Sequence, residues 1–406
     1  MLLQIAWKNI WRNKVRSLVI LTAIALGIFA GVFSMGFYKG MAEQRVKSAI
    51  STEASHIQIH QKGYITDPNI KSYIPHADEI TSSIDTLGTV KHSSSRIIVN
   101  SMITSAETGS GVRLIGIDVS DEKQVTDLYT RLVDGKYLEG SKRNPILIGE
   151  KLAEKLNVKI RSKVVLTLQN MEGEMMYASF RVAGIYKTSN TMYDESTAFV
   201  RKEDIAKLIN LEPTAAHEIA ILLNSSESLD ETMDRIEKEY SKFDVKNWKE
   251  IMPEVALVEQ SMDIPMYIFM GVILFALLFG IINTMLMAVL ERRKELGMLM
   301  AIGMVKVRVF RMIMLESVLL SLTGGVLGII IGALITVIFS KIGINLSSTS
   351  QGYEALGYDP FVYPVFKMSM AVIVTIMVLI TGFLASIYPA FKALKLKPAD
   401  AIRIDM

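Results

Sequence analysis

The segment IPMYIFMGVILFALLFGIINTMLMAVLERRKELGMLMAIGM, Ile264–Met304, decides the fold of this chain. Its first part, Ile264–Leu290, contains no Asp, Glu, Lys, Arg or His, and about 20 apolar residues are enough for a helix to cross a bilayer. The next five residues, Glu291–Glu295, are all charged, and small and apolar residues follow them, with glycines at Gly297 and Gly303. The sequence therefore predicts a membrane helix followed by a polar turn, which is either a solvated loop or a working surface.

The composition indicates a membrane protein with a sizeable domain in water. The 406 residues are 50% hydrophobic and 21% charged, which is too apolar for an ordinary soluble chain and too charged for a chain lying wholly in lipid. The net charge of +3, without a basic tract, gives no reason to expect a nucleic-acid partner. The absence of cysteine excludes disulfides, thiol catalysis and Cys-ligated metals.

Four segments are long and apolar enough to span a membrane. Basic residues cluster before the first, between the second and third, and after the fourth, whereas the other connections carry few. The positive-inside rule then places both termini in the cytoplasm. The first span is too long for the apolar region of a cleaved signal peptide, usually about 7–15 residues, so we expect an uncleaved anchor. The predicted spans are Ser17–Tyr38, Ile264–Leu290, Ser317–Ser340 and Met368–Phe391.

The expected fold is a multi-pass α-helical membrane protein with four transmembrane helices and a large α+β extracytoplasmic domain between helices 1 and 2. The predicted segments, in chain order, are a cytoplasmic amphipathic N-terminal helix at 1–16, the first span at 17–38, an external domain at 39–263, the second span at 264–290, a cytoplasmic segment at 291–316, the third span at 317–340, a short external loop at 341–367, the fourth span at 368–391 and a cytoplasmic tail at 392–406.

Small residues recur at four-residue spacing in two of the spans. They include Gly27 and Gly31 in the first, and Gly324, Gly328 and Gly332 in the third. Residues four apart share a helix face, and small ones let two helix backbones approach closely. They indicate either ordinary membrane packing or a specific interface that transmits helix motion. The spans carry no charged residue that would mark a path for ions or hydrophilic solutes.

The external domain shows strands and helices but no clear chemistry. HIQIHQ and FRVAGIYK alternate as half-buried strands, NPILIGEKLAEKLNV predicts a strand, a turn and a helix, and Ser228 is a candidate N-cap of a further helix. His56 and His60 share a strand face but lack a third ligand, so we expect a surface pair and no metal site. Asp194 and Glu195 are expected in a solvated loop. The chain has no Walker A sequence for ATP hydrolysis.

Two membrane motifs resemble those of a known family. The stretch from Glu291 to Gly332, with its charged turn, AIG element and paired glycines, and the ending YPAFKALKLKPADAIR are similar to the FtsX/MacB-like permeases of ABC transporters. Stretches of the external domain, such as ILIGEKLAEKLNVKIRSKVVLT, resemble the lipoprotein-releasing permeases LolC and LolE. One departure is MVKVRVF, Met304–Phe310, which lacks the Ser or Thr that caps the next helix in many family members.

The resemblance implies an assembly and a mechanism. Residues 264–400 would form an FtsX-like permease domain and 39–263 a MacB-like periplasmic core domain, in a bacterial inner membrane. The partners would be a separate ABC ATPase subunit in two copies, a second permease chain in a homodimer or heterodimer, membrane lipid, and a lipoprotein substrate with its periplasmic carrier. ATP and Mg would be used by the partner ATPase, with no cofactor bound by this chain and no enzymatic activity of its own.

Three functions fit these expectations. The first is extraction of lipoproteins from the outer leaflet of the inner membrane, driven by movement of the external domain. The second is efflux of the MacB type, with a periplasmic adaptor. The third is signal transmission like that of FtsX, in which the permease controls a cell-wall hydrolase and transports nothing.

The charged turn is the predicted site of coupling to the ATPase. Leu296, Leu299, Met300 and Gly303 fall on one helical stripe, and Gly303 is placed to end that helix. An apolar stripe at the cytoplasmic surface needs something to cover it, so we expect a short helix that docks into the ATPase, with Glu291 and Glu295 in the same site. The substitution Leu299→Glu is then expected to uncouple ATP hydrolysis from work by burying an unpaired charge.

Overall fold

The computed structural model describes residues 2–139, 144–347, 350–355 and 357–395. The helices are α1 (Leu2–Arg12), α2 (Lys14–Ser48), α3 (Ala77–Ile84), α4 (Val119–Val125), α5 (Glu150–Leu156), α6 (Thr191–Ser196), α7 (Lys202–Ile209), α8 (Leu229–Glu239), α9 (Trp248–Ile251), α10 (Pro253–Ser261), α11 (Asp263–Glu291), α12 (Arg293–Ala301), α13 (Lys306–Ile342), α14 (Ser350–Glu354) and α15 (Met368–Leu394). The strands are β1 (Ile57–His60), β2 (Val90–Thr104), β3 (Gly109–Ile117), β4 (Leu132–Gly135), β5 (Pro145–Gly149), β6 (Lys163–Gln169), β7 (Met175–Tyr186), β8 (Thr197–Arg201), β9 (Glu218–Leu223), β10 (Asp244–Asn247), β11 (Ile344–Asn345) and β12 (Phe361–Val362).

The predicted fold class is confirmed, because four apolar helices long enough to span a membrane accompany a large α+β domain. The helices exceed the predicted spans: α2 covers Lys14–Ser48, whereas the apolar part ends at Tyr38. Composition predicts only the part of a helix that lies in lipid, so the segment boundaries stay predictions. The structure groups residues 345–361 with the α+β domain, although the sequence predicted a separate loop at 341–367. Most of the predicted tail at 392–406, and the end of the YPAFKALKLKPADAIR motif, lie outside the described residues.

The membrane unit is a helix bundle in which the glycines of α13 lie against α2. A Cβ atom added to Gly324 would lie 2.9 Å from the Cβ of Ile24, and one on Gly328 would lie 2.6 Å from the carbonyl oxygen of Ala25. Gly332 makes the same kind of approach to Val32, at 2.9 Å. The three glycines therefore form one continuous contact, in which a side chain at any of their positions would collide with α2.

The glycines of α2 meet a different helix. A Cβ atom on Gly27 would lie 3.0 Å from Cδ1 of Leu277, and one on Gly31 would lie 2.4 Å from Cε of Met270, both on α11. The near atoms are ends of flexible side chains, which yield more easily than the backbone beside α13. The two stripes predicted from the sequence thus serve two different helix pairs, α2 with α13 and α2 with α11. Their role in transmitting motion stays a prediction.

The α+β domain is built on a ten-stranded sheet in which six strands close a ring. The strand order is β10-β1-β9-β2-β3-β8-β5-β7-β4, and β6 pairs with both β2 and β7. The pairings β2-β3-β8-β5-β7-β6 therefore return to β2. The buried apolar side chains of these strands, such as Leu114, Ile146 and Phe180, fill the interior of the ring.

The strand β2 joins two hydrophobic cores. Its first half pairs with β9, beside a core that includes Ile59, Ile84 and Trp248, and its second half belongs to the ring. Arg96 lies at the crossing with only 3% of its side chain exposed. It donates to Glu122 of α4 at 3.0 and 2.7 Å and to Glu218 of β9 at 2.7 Å. This buried ion cluster fixes α4 and β9 against the centre of β2.

The predicted surface pair of histidines is wrong, because both are buried. His56 and His60 are 7% and 2% exposed, and all four residues of β1 are buried. His60 contacts the carbonyl oxygen of His217 through Nδ1 at 3.0 Å, and His56 accepts from the backbone N–H of Leu223 at 3.2 Å. The strand forms as predicted, but it is not half-buried, because the packing of the α+β domain covers both of its faces. Among the described residues no group of three or more potential ligands could hold a metal ion.

Two local expectations in the same domain also change. The helix α8 forms as predicted, but Ser228 makes no side-chain capping bond, and Ser225 instead caps the preceding 3₁₀ turn. The expected solvated loop around Asp194 is the short helix α6, in which Asp194 is 2% exposed while Glu195 remains exposed. Asp194 accepts from the backbone N–H of Thr188 at 2.9 Å and from its hydroxyl at 2.7 Å.

We predict that Asp194 makes the stability of the domain depend on pH. Burial raises the pKa of Asp194 from 3.8 to about 6, against the opposing effect of the Thr188 hydrogen bonds. A carboxyl whose pKa is raised by folding destabilises the native state progressively as the pH rises above its unfolded-state pKa of 3.8, and the loss, at most roughly 3 kcal/mol here, is complete above the folded-state pKa of about 6. Asp194→Asn should therefore gain stability relative to the natural protein as the pH rises from 4 to 7, as measured by thermal unfolding of the full chain.

The matched control is Asp230→Asn, which changes an exposed carboxylate on α8. Its stability relative to the natural protein should not follow this course. A difference between Asp194→Asn and the natural protein that stays constant from pH 4 to pH 7 would show that Asp194 titrates as an exposed carboxylate.

Candidate functional site

The helix α12, between α11 and α13, ends where the sequence predicted. Gly303 has φ +101°, a conformation that residues with a side chain rarely adopt. The N–H of Gly303 donates to the carbonyl of Met300 at 3.2 Å, and the N–H of Met304 donates to that of Leu299 at 3.0 Å. These two bonds form a Schellman motif, which satisfies the last carbonyls of α12 and reverses the chain sharply.

The next helix, α13, begins at Lys306 without a side-chain cap. Val305 is extended, with φ −65° and ψ 141°, and makes no side-chain capping bond. The segment MVKVRVF departs from the family pattern, but the helix still begins at Lys306, one residue after Val305. In the first turn of this helix the N–H of Arg308 donates to the carbonyl of Val305 at 2.9 Å, so a backbone bond takes the place of a side-chain cap.

The predicted stripe on α12 is largely covered by the bundle itself. Leu296 is 2% exposed and belongs to the bundle core, and Met300 packs against the same core. Leu299 is half-buried and Gly303 is exposed. The stripe therefore anchors α12 to its own chain, which differs from the expectation that it lies uncovered. Whether it takes part in coupling stays a prediction.

A second apolar set faces outward at the same place. Met298, Ile302 and Val305 are 50%, 85% and 55% exposed, and Ile302 is the most exposed large apolar side chain among the described residues. Met298 lies on α12, Ile302 is its C-cap residue, and Val305 follows the turn at Gly303, so the three side chains lie around the end of the helix. The sequence analysis identified only the stripe that the bundle covers, because periodicity does not show which face the neighbouring helices occupy. We call Met298, Ile302 and Val305 the outward face.

The two glutamates of the predicted site pair with arginines of this chain. Glu295 accepts from Arg12 of α1 at 2.5 and 2.7 Å, and this contact lowers the pKa of Glu295. Glu291 pairs with Arg16 of α2. The chain's own arginines therefore occupy both carboxylates, and the pairs tie the N-terminal helices to the ends of α11 and α12.

A third carboxylate completes this ion cluster. Glu316 of α13 is 6% exposed and accepts from Arg292 at 3.1 Å and from the side-chain amide of Asn9. Arg292 also reaches Glu295 at 3.3 Å. The helices α1, α12 and α13 are thus joined through shared partners, around a cavity of about 610 Å³. Sequence reasoning missed Glu316 because it lies just before the apolar run, where it resembles a residue at the membrane surface.

The N-terminal helix presents aromatic side chains away from the cluster. Trp7 and Trp11 are 42% and 40% exposed, with ring centroids 6.0 Å apart, and Leu3 continues the same face. Tryptophan is enriched where a helix meets the membrane interface. This arrangement fits the predicted amphipathic helix, with Asn9 and Arg12 directed to the protein.

We predict that α1 and α12 stay together through the contact of Arg12 with Glu295. The natural chain has no cysteine, so Arg12→Cys combined with Glu295→Cys can be linked by a short bismaleimide without a background. The linked form should appear in high yield, as measured by electrophoresis after cleavage of the chain between the two sites. Leu3→Cys with Glu295→Cys is the control, since Leu3 lies on the opposite face of α1. Equal yields from the two pairs would contradict the cluster.

Two family models match this chain. The model described as the MacB-like periplasmic core domain matches residues 17–239, which is more than half of the chain. The model described as the FtsX-like permease C-terminal domain matches residues 267–398. Together they cover most of the α+β domain, most of each membrane helix, and the segment that holds α12.

Individual relatives are similar at low identity. The lipoprotein-releasing system transmembrane protein LolC of Xylella fastidiosa is 24% identical over 305 residues, 71% of this chain and 72% of that protein. LolE of Haemophilus influenzae is 20% identical over 380 residues, 89% of this chain and 88% of that protein. The macrolide export ATP-binding/permease protein MacB of Chlorobaculum tepidum is 32% identical over 126 residues, 31% of this chain and 17% of that protein.

Among solved structures, the periplasmic region of MacB from Actinobacillus actinomycetemcomitans aligns with a TM-score of 0.37 and 11% identity, over 52% of this chain and 98% of that one. The two family models and the four membrane helices give the same result, which the resemblance of the Glu291–Gly332 motif had predicted. This chain belongs to the FtsX/MacB-like family of ABC transporter permeases.

Proposed function

We propose that this chain is the permease subunit that a separate ATPase subunit drives. Two permease chains would pair above two ATPase subunits, which would use ATP and Mg, and both termini would lie in the cytoplasm. Membership of the permease family supports this proposal. The positions of the basic residues beside the spans support the orientation.

The outward face carries the proposal of where the ATPase docks. Ile302 is 85% exposed directly before the sharp turn at Gly303, in a part of the chain rich in charge. Exposed apolar side chains grouped around the end of a capped helix are typical of a surface that a partner covers. In this proposal Leu296, Leu299 and Met300 seat the helix on the bundle, Glu291 and Glu295 tie it to α1 and α2, and Met298, Ile302 and Val305 contact the ATPase.

We predict that Ile302→Glu uncouples ATP hydrolysis from transport. A carboxylate at this position would be buried without a partner in the complex, which costs several kcal/mol, whereas in the free chain it would remain solvated. The variant should therefore fold and insert normally, but bind its ATPase at least tenfold more weakly and lose stimulated ATP turnover in reconstituted vesicles. Leu299→Glu should be weaker in ATPase binding but also less stable, since Leu299 is half-buried.

The control for this measurement is Val133→Glu, which makes the same kind of apolar-to-charged change at a 53% exposed valine of the α+β domain. It should leave ATPase binding unchanged. Normal binding and turnover in Ile302→Glu would remove the outward face as the docking surface and return the segment to a solvated turn.

We propose that the work performed is extraction of lipoproteins from the outer leaflet of the inner membrane. The relatives LolC and LolE, which are named for lipoprotein release, support this choice because they align over most of this chain. The helix α11 supports it physically, since Ile268, Val272 and Phe275 are all more than 60% exposed on one apolar face. Acyl chains could lie against such a face, and each buried CH₂ group is worth about 0.8 kcal/mol, which explains a need for ATP.

We predict that the reconstituted complex releases a triacylated lipoprotein when ATP and a soluble periplasmic carrier are both present. Release is measured as lipoprotein that no longer floats with the vesicles. The complex containing Ile302→Glu should release no lipoprotein, because its lipid-facing helices are intact but ATP hydrolysis no longer moves them. Lipoprotein that stays with the vesicles in the presence of the natural complex, ATP and carrier would contradict the substrate but not the coupling.

A second candidate function is efflux of the MacB type. The 32% identity to the MacB of Chlorobaculum tepidum over 126 residues supports it. Dependence on a periplasmic adaptor would distinguish it. A third, FtsX-like control of a cell-wall hydrolase, draws on the FtsX-like domain at residues 267–398 and would be distinguished by a hydrolase that co-purifies with the chain.

A further inference from the structure

The α+β domain contains a cleft that the proposed transport function does not use. Its volume is about 610 Å³, within the range of about 300–1,000 Å³ typical of ligand pockets. The walls come from both cores of the domain: β1 and the chain after it on one side, and β2, β3 and β6 on the other. The side chains that matter for recognition are Gln58, Tyr64, Asn100, Arg113 and Gln169.

Arg113 is the only Lys or Arg among the described residues that line the cleft. Its side chain is 48% exposed, and its Nη2 lies 3.6 Å from Oε2 of Glu218, which is longer than a hydrogen bond. The attraction of Glu218 orients the guanidinium without using its N–H groups. A guanidinium has five N–H donors in a planar fork that matches a carboxylate.

The partner of Arg113 is itself held from behind. Glu218 is 1% exposed, and its Oε1 accepts from Arg96 at 2.7 Å, while Oε2 has no hydrogen-bond partner. The same Oε2 lies 3.8 Å from Nε2 of His60. Arg96 also pairs with Glu122, so its single positive charge is shared between two buried carboxylates. Arg113 balances the remaining charge of Glu218, and its N–H groups are left to donate to an acceptor in the cleft.

Amide and hydroxyl groups surround this cation. Asn100 lies directly opposite Arg113 in the register of β2 and β3, and both Asn100 and Gln169 are exposed. Tyr64 is 5% exposed and stacks on His60 at 5.2 Å, and burial raises its pKa to about 12, so its hydroxyl stays a donor. Side-chain amides both donate and accept, as the backbone of a peptide does.

The rest of the wall is mixed. Ile65, Ile98 and Met252 line the cleft, and so does Glu53, whose carboxylate is paired with Arg45 at 3.1 Å. A ligand that fits has apolar side chains, amide groups and one anionic end. We propose that this cleft binds a peptide carboxylate, with Arg113 holding the carboxylate and Asn100 and Gln169 bonding to the peptide groups behind it. The carboxylate can come from a chain end or from an acidic side chain.

The test uses the full chain in lipid nanodiscs and fluorescent peptides of leucine, leucine and alanine, followed by anisotropy. The free acid should bind at least tenfold more tightly than the same peptide with a C-terminal amide, because the amide lacks the charge-assisted bonds to Arg113. A third peptide, amidated but with a central glutamate, separates the two sources. Binding like that of the free acid would indicate an acidic side chain, and binding like that of the amide would indicate a chain end.

Arg113→Gln should lower the affinity for whichever peptide carboxylate binds. The remaining affinity should equal that of the uncharged amide peptide. Arg113 is half-exposed, so this variant is expected to fold, and Arg113→Lys should recover part of the affinity through charge alone. Arg235→Gln, which changes an exposed arginine on α8, is the control and should bind normally. The proposal is overturned if no peptide binds at millimolar concentration, if all three peptides bind the natural chain equally, or if Arg113→Gln binds as tightly as the natural chain.

Discussion

The contact between α13 and α2 sets the geometry on which the rest of the membrane unit depends. Within lipid there is no hydrophobic force to press apolar helices together, so close packing must come from the shapes of their surfaces. At Gly328 even one methyl group would meet the backbone oxygen of Ala25 at 2.6 Å, and a backbone atom cannot move aside as a side-chain end can. With α2 and α13 fixed at this separation, Arg16 of α2 and Glu316 of α13 stand at one end of the bundle as fixed points for the charged cluster.

The helix α12 is attached to the bundle in two ways. Leu296 enters the apolar core, whereas Glu295 is held by Arg12 and Arg292 at the surface. Exposed ion pairs contribute little to stability one at a time, but a set with shared partners restricts the direction in which a helix can move. A displacement of α12 would therefore act on α1 through Glu295 and Arg12, as well as on α11 and α13 through the covalent links.

The sequence predicted what local chemistry determines. The four membrane helices were predicted from runs without charged residues. The end of α12 was predicted from Gly303, because glycine readily adopts the positive φ with which many helices end. Periodicity identified α12 as a helix with an apolar stripe, but what covers each face is a property of the neighbouring helices. For the same reason His60, on a strand predicted to be half-buried, was assigned to the surface, although both faces of β1 are covered. Burial of Asp194 was missed because its partner Thr188 lies outside α6, and the contact depends on how the chain turns between them.

The closed ring of six strands restricts how other proteins can engage the α+β domain. A sheet with an open edge can accept a partner strand, which pairs through backbone groups and reads little of the side-chain sequence. In the ring β2, β3, β8, β5, β7 and β6 each strand already has a neighbour on both sides. Partners of this part of the molecule must therefore be recognised by side chains, on its faces, in its loops or in its clefts. Recognition of that kind can be exchanged by a few substitutions without disturbing the backbone, which suits a scaffold that serves different substrates.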